Sequence, residues 1–269
     1  MKLDISIMSE KFKHSLSRLD KIIYSDQKPR IAVFGKYNHG KSTLLNAIFG
    51  YEAFKSADKR ETVENLSIEH DDVMWIDTPG LDADVHGKDD AAALTGAFEM
   101  ADYLFLVHQV TAGELDKYEL DIFNRLAVNT TDYSQKMCLV LTQIDQKTGD
   151  ELNTIIDKVQ QQVSLESQFK EVKIIPISAT RYLRGLEENK PIFCEKSGIS
   201  TLFDEIEKIK NNVIKTREKE KFELINKIAH SLNEMELVIN QEMNINKNKQ
   251  VSLKSDITCE LNKLITKVA

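Results

Sequence analysis

Cysteine is scarce. Cys138, Cys194 and Cys259 lie far apart and never in C-x-x-C spacing, so neither a disulfide framework nor a zinc site is expected, and the three read as ordinary thiols. Long apolar runs are missing too: no stretch reaches the ~18 consecutive apolar residues of a membrane-spanning helix. The N-terminus, Met1-Lys-Leu-Asp-Ile-Ser6, has no basic region followed by an apolar core, which argues against a secretory signal. A cytoplasmic protein is expected, with peripheral membrane contact as the further option. Internal repeats are absent. The single biased tract, the Asn/Lys/Gln-rich 244–250, reads as a connection between two helices. Aromatic residues are few at 7%, but 41% apolar and 29% charged residues are ordinary for a folded soluble chain.

At 269 residues the chain can bury one full α/β core and still carry a smaller appendage, because single domains commonly run to ~100–200 residues. The net charge of −7 is unevenly placed. Residues 1–30 hold 7 Lys and Arg against 4 Asp and Glu, residues 31–204 hold 17 against 29, and residues 205–269 hold 12 against 10. The middle is acidic and the ends mildly basic, an asymmetry that solvated helix faces produce routinely.

Hydrophobic periodicity orders the chain. Ile5, Met8, Phe12, Leu16, Leu19 and Ile22 or Ile23 recur at three- and four-residue steps, an amphipathic helix ending before Gln27-Lys-Pro29. Strand-like runs follow at 31–34, 66–69, 73–76, 103–107, 138–142 and 173–178, with helical patterns near 41–49, 90–101, 114–127, 150–163 and 199–213. This alternation predicts an α/β fold: a mostly parallel six-stranded sheet with helices on both faces. The link His70-Asp71-Asp72 is long enough only for a hairpin, so one antiparallel strand sits at an edge. Beyond Val213, apolar stripes at 224–239 and 257–268 need cover. They are expected to form a small helical bundle with the N-terminal helix. The expected division is an N-terminal helix at 1–28, an α/β domain at 29–212 and a neck-like helical region at 213–269.

Between the apolar run Ile31-Ala-Val-Phe34 and the helical run starting at Thr43 lie Gly35, Lys36, Tyr37, Asn38, His39, Gly40, Lys41 and Ser42. A buried strand that turns at Gly35 and opens a helix at Gly40 aims unpaired backbone N–H groups and the positive end of the helix dipole into one concavity. An anion fits there. Lys41 can reach the β- and γ-phosphates of a nucleotide, and the Ser42 hydroxyl can sit on Mg²⁺.

Such a metal also wants an acidic residue at the end of a neighbouring strand, and the γ-phosphate wants a backbone N–H. Asp77-Thr78-Pro79-Gly80 follows the strand at 73–76 and supplies both, with Asp77 for the metal and Gly80 for close backbone approach. A hydroxyl from between the first helix and the second strand should join the metal. Thr62 is the candidate, with Ser56 and Ser67 behind it. Thr142-Gln143-Ile144-Asp145 ends another strand, and a carboxylate at Asp145 can accept from N1–H and the 2-amino group of guanine. Adenine offers neither donor. Ser178, Ala179 and Thr180, after the last strand, can place backbone N–H groups on the guanine carbonyl. Taken singly, Asp145 also suits a helix cap and Ser178 a turn; their common place at strand ends favours the nucleotide reading.

These four segments resemble the G1, G3, G4 and G5 motifs of translation-factor-class GTPases over about residues 29–212. The phosphate loop and the Asp-Thr-Pro-Gly-Leu segment are similar to those of the Era/TrmE-like GTPases and the bacterial dynamin-like proteins, including the type named for labile-enterotoxin output. The resemblance implies a P-loop GTPase that binds GTP or GDP with Mg²⁺, held by Ser42, Thr62 and Asp77, and hydrolyses GTP with Lys41, Asn38, Thr62 and Gly80. Flanking helices suit the dynamin-like group, although only about 55 residues follow the G domain, too few for a stalk with a membrane-binding tip.

Two departures stand out. Leu81 occupies the place where Ras-like enzymes orient water with Gln. In the resembling families a monovalent cation, often K⁺, takes over part of this work, held by an Asn at the position of Asn38, at a G-domain dimer interface; a loop-capping Asn is the plainer reading. Gln143 stands where a Lys usually covers the guanine plane, a loss of about 1 kcal/mol in binding. The expected partners are guanine nucleotide, a second G domain or related GTPase, and a ribosome or membrane surface met through the terminal helices. DNA is not among them. His39 reads as a tolerant loop position or a phosphate contact, His108 and Trp75 as core, the acidic run from Asp82 to Asp90 as a switch loop, and Arg217-Glu-Lys-Glu-Lys221 as a solvated helix turn.

Overall fold

The computed structural model describes residues 5–53, 66–77, 99–127, 136–165 and 172–268. Within them, contacts separate two units: one of Met1–Asp20 with Lys219–Ala269, the other of Lys21–Glu218.

The second unit is built on a sheet of β1 (Arg30–Gly35), β2 (Leu66–His70), β3 (Val73–Asp77), β4 (Tyr103–Gln109), β5 (Met137–Thr142) and β6 (Lys173–Pro176), ordered β2-β3-β1-β4-β5-β6. All pairs are parallel except β2 with β3. Central strands of such a sheet are covered on both faces, so they read as unbroken apolar runs rather than alternations. Ile31 to Phe34, Phe105 to Val107 and Met137 to Leu141 are fully buried accordingly. The β2–β3 hairpin turns on Asp71 and Asp72, both at positive φ (49° and 59°), which a two-residue turn matching the strand twist requires.

Helix α2 (Lys41–Phe49) and the start of α7 (Ile199–Val268) cover one face, where Leu44, Leu45, Phe49, Leu202 and Ile206 pack on Trp75 and Phe105. On the other face α3 (Lys117–Ala127) and α4 (Gly149–Leu165) bring Ile122, Val159 and Val163 onto Phe34, Leu106 and Leu139. Short helices α5 (Ala179–Glu187) and α6 (Pro191–Glu195) follow β6. Most of the helical pattern at 90–101 lies outside the described residues. Arg217 is buried, contrary to the solvated turn expected of it. Its guanidinium holds the Asp102 carboxylate (Nε to Oδ1 2.9 Å) and donates to the backbone oxygens of Asp26 and Lys28.

The first unit pairs the N-terminal helix α1 (Ile5–Ile23) with the far part of α7, joined by Arg18, which donates from Nε and Nη2 to both carboxylate oxygens of Glu220 at 3.0 and 2.8 Å. Two expectations are corrected here. The tract 244–250 is no connection: α7 runs through it unbroken. Residues 199–268 contain neither Gly nor Pro, so nothing stops the helix, and the polar tract marks only a wet stretch of its surface. Among the described residues the second apolar stripe also stays uncovered, with Ile257, Leu261 and Leu264 each more than half exposed, as are Met243 and Leu253 before it. At ~1.5 Å per residue α1 spans roughly 28 Å against about 75 Å for the α7 arm.

Among the described residues, no helix is long and apolar enough to cross a membrane.

Candidate nucleotide site

The site lies at the carboxyl ends of β1, β3, β5 and β6, where the chain leaves β1 towards β3 on one side and β4 on the other, the switch point at which open α/β sheets bind ligands. Gly35 ends β1 so close to β4 that a Cβ would sit 2.3 Å from the Val107 carbonyl oxygen. No other residue fits. The loop then takes left-handed backbone at Asn38 (φ 61°) and at Gly40 (φ 91°), the residue just before α2, conformations that Asn and Gly tolerate best. The Asn38 side chain is exposed.

Lys41 is buried, and its ammonium donates to the carbonyl oxygens of Gly35 and Lys36, both at 2.9 Å. It thus lies across the loop whose phosphates it would meet. Ser42 and Thr43, in the first turn of α2, are half-buried. Asp77 ends β3 beside Val33 of β1. Burial pushes its carboxyl up to about 6, with the Lys41 charge pulling the other way. Among the described residues, its Oδ1 is buried without a hydrogen-bond partner. An orphaned carboxylate oxygen at the mouth of a phosphate loop costs free energy unless something cationic completes it. Asp77 and Ser42 therefore fit a Mg²⁺ ion. Thr62, Ser56 and Gly80 fall outside the described residues, as do Leu81 and the acidic run from Asp82. Ser67 is exposed in β2, opposite Ile76.

At the base end, Thr142 is buried and its hydroxyl donates to the His39 carbonyl at 2.7 Å. That hydroxyl braces the phosphate loop. Gln143, at φ 61°, accepts from Thr111 and donates to Gln109, both at 3.0 Å. Asp145 sits half-buried in a 3₁₀ turn (Ile144–Gln146), its Oδ2 accepting from the Gln146 amide at 3.1 Å. It caps no helix among the described residues; α4 takes its side-chain cap bond from Glu151 back to the Thr148 N–H. Ser178 is the N-cap of α5, its Oγ accepting from the Arg181 N–H. Its own N–H donates to the Ser197 carbonyl at 2.7 Å and is unavailable to a base. Ala179 and Thr180 remain, as the first two residues of α5 whose N–H groups have no acceptor within the helix.

Two features escaped the sequence reading. His39 is no tolerant position: its imidazole is buried, 5.3 Å from the ring of His108 and 3.6 Å from Glu119 Oε1. Desolvation holds its pKa down at about 4 against the pull of Glu119. Lys36 reaches sideways to an ion pair with Asp116 and lies 5.9 Å from the Tyr118 ring. Both partners come from the β4–α3 region, about 70–80 residues away in sequence, and no local pattern announces such a meeting.

The loop from β1 into α2 and an aspartate at the end of the adjacent strand, on this sheet order, have the arrangement of a P-loop nucleotide-binding fold. Residues 30–143 match the family model described as 50S ribosome-binding GTPase. Over these residues the chain is similar to P-loop GTPases, Era among them. An uncharacterized protein of Acinetobacter baylyi is 38% identical over 220 residues, covering 82% of this chain and 51% of its own length. GTPase Era of Lactobacillus delbrueckii subsp. bulgaricus is 29% identical over 157 residues, 55% of this chain and 48% of Era. The chain thus spans about half the length of these curated relatives. Among solved structures, one of an oligomerised bacterial dynamin pair, described as sensing and tethering membranes, superposes over 97% of this chain and 61% of its own at a TM-score of 0.53 and 15% identity, a likeness of fold.

Proposed function

We propose that this chain binds GTP with Mg²⁺, hydrolyses it to GDP and phosphate, and changes conformation with the bound nucleotide. The observation that carries this reading is the unpartnered, buried Oδ1 of Asp77 facing the charge of Lys41 at the mouth of the phosphate loop. The α- and β-phosphates would lie on the N–H groups of the loop and the first turn of α2. Lys41 would exchange the carbonyls of Gly35 and Lys36 for phosphate oxygens. Ser42 and Asp77 would hold Mg²⁺, joined by Thr62, and the ion would offset charge on the β- and γ-oxygens. Asp145 would accept from guanine while Ala179 and Thr180 donate to its carbonyl, and Gln143 would lie against the ring.

With Leu81 where a water-orienting Gln could stand, hydrolysis would draw on Asn38, exposed at the loop's outer turn, holding K⁺ where a second G domain closes over it. Gly80 and Thr62 would order around the γ-phosphate and release on its loss. The test is phosphate release from GTP in K⁺ and in Na⁺ buffer, for the wild type and Lys41→Ala. Faster release in K⁺, abolished by the substitution, is expected. Equal rates in both proteins would refute the reading.

A second reading rests on the uncovered stripe of α7: a nucleotide-gated assembly protein with little turnover, its terminal helices meeting a partner subunit, a ribosome or a membrane. Tight GTP binding without phosphate release, and a partner lost on removal of residues 214–269, would favour it.

A further inference from the structure

Where the phosphate loop meets β4, three side chains from three elements converge. They are His39 of the loop, His108 of β4 and Glu119 of α3, all buried. One ligand atom of each lies within 4.8 Å of the other two. His108 Nδ1 is 2.7 Å from Glu119 Oε1, and His39 Nδ1 is 3.6 Å from the same oxygen.

The surroundings fix which atoms face one another. His108 Nε2 lies 3.0 Å from the Gly113 carbonyl oxygen, which only accepts, so Nε2 bears a hydrogen, while Nδ1 is hydrogen-bonded to Glu119 Oε1 at 2.7 Å. The His39 ring hydrogen-bonds the Val107 backbone, and its Nδ1 is buried with no hydrogen-bond partner. Glu119 Oε2 is engaged by the Asp116 N–H at 3.1 Å, which leaves Oε1 facing both rings. Two imidazole nitrogens and a carboxylate oxygen therefore meet in a buried space, His108 Nδ1 and Glu119 Oε1 joined by a hydrogen bond. A metal ion can take the place of the proton in that bond and engage the His39 nitrogen as well. Histidines whose far nitrogens donate to backbone carbonyls, with a carboxylate locked by a main-chain N–H, are the supporting arrangement that orients metal ligands in proteins.

We propose that His39 Nδ1, His108 Nδ1 and Glu119 Oε1 form a site for a borderline divalent metal ion of the zinc class. Imidazole nitrogens select such ions over Mg²⁺ and Ca²⁺, which take oxygen. The site is built without cysteine, which is why counting cysteines does not reveal it. Tetrahedral ligands ~2.0–2.1 Å from zinc stand about 3.3 Å apart, close to the His39–Glu119 separation. The His108–Glu119 pair would open slightly as the ion displaces any proton they share. Three protein ligands fall one short of a closed structural site, so binding of about micromolar affinity is expected. The ion would fasten the phosphate loop to β4 and α3.

The test uses the tag-free chain without nucleotide and with excess Mg²⁺, titrated with Zn²⁺ by calorimetry and with Co²⁺ by visible absorption. Melting temperatures report that each variant is folded. The expected result is one ion per chain, a Co²⁺ d–d band and a raised melting temperature. Binding should weaken at least tenfold in His39→Gln and in Glu119→Gln, and stay unchanged in Cys194→Ser/Cys259→Ser. Three outcomes would overturn the site: no band and no melting shift in the wild type, unchanged affinity in a folded His39→Gln, or loss of binding in the cysteine variant.

Discussion

Asp77→Asn should make the empty protein more stable while disabling it. The Asp77 carboxyl, ordinarily near 3.8, is pushed up to about 6 by burial even with Lys41 nearby. Above pH 6 the folded protein therefore carries a charge that the unfolded chain solvates better. A shift of that size corresponds to about 3 kcal/mol at neutral pH, as an upper figure. Between pH 6 and 4 the folded state binds a proton that the unfolded state does not, so this contribution relaxes as pH falls. Asparagine keeps the shape and drops the charge. At roughly 2–4 °C per kcal/mol for a unit of this size, the variant should melt about 6–12 °C above the wild type at pH 7.5 without nucleotide. The gap should close towards pH 4.

His39, held down at about 4, works in the opposite direction, losing stability as pH falls below 6.5. It is present in both proteins and cancels in the difference. The assay is thermal denaturation of both proteins across pH 4–8, with and without Mg²⁺ and GTP. Added Mg·GTP should raise the wild-type melting temperature and leave the variant's unchanged. A variant that melts lower than the wild type at pH 7.5 without ligand, or a gap that does not vary with pH, would refute the account of Asp77.

Asp145→Asn replaces an acceptor with an amide that can donate to a 2-oxo group. GTP affinity should fall by about 10–100-fold, the ~1–3 kcal/mol of a lost buried hydrogen bond to a charged group, while affinity for xanthosine triphosphate rises, as read by competition with a fluorescent nucleotide. Gly35→Ala places a methyl 2.3 Å from the Val107 oxygen; a loss of at least ~1–3 kcal/mol in urea denaturation and loss of nucleotide binding are expected. Arg217→Ala removes the guanidinium charge from beside buried Asp102 and should cost about 3–5 kcal/mol. The double variant with Asp102→Ala should recover part of that loss, and strict additivity would show the pair to be uncoupled.

Strands and phosphate loop were legible because their signals are local. An unbroken apolar run of four residues, Ile31 to Phe34, next to a Gly-containing turn admits few alternatives, and the Asp71-Asp72 turn follows from the shortness of its link. Less legible were the residues whose roles depend on distant partners. Nothing around Ser178 tells that its N–H goes to Ser197, or that the Thr142 hydroxyl holds the His39 carbonyl. Arg217 looked solvated because its neighbours are charged; Asp102 and two backbone oxygens, all more than a hundred residues away, bury it. The tract 244–250 differs for another reason: its polarity suggests a break, but it holds neither Gly nor Pro, the strongest local interrupters of a helix. Helices α5 and α6 are too short to show a periodicity.

The resting posture of Lys41 bears on how the site exchanges its contents. Its ammonium is hydrogen-bonded to the carbonyls of Gly35 and Lys36, so an empty loop holds no bare buried charge and its backbone stays shaped around a cation. Departure of one nucleotide and arrival of the next then trades two carbonyl contacts for phosphate contacts. Turnover would be set by how fast that trade occurs, with no need to refold the loop between cycles.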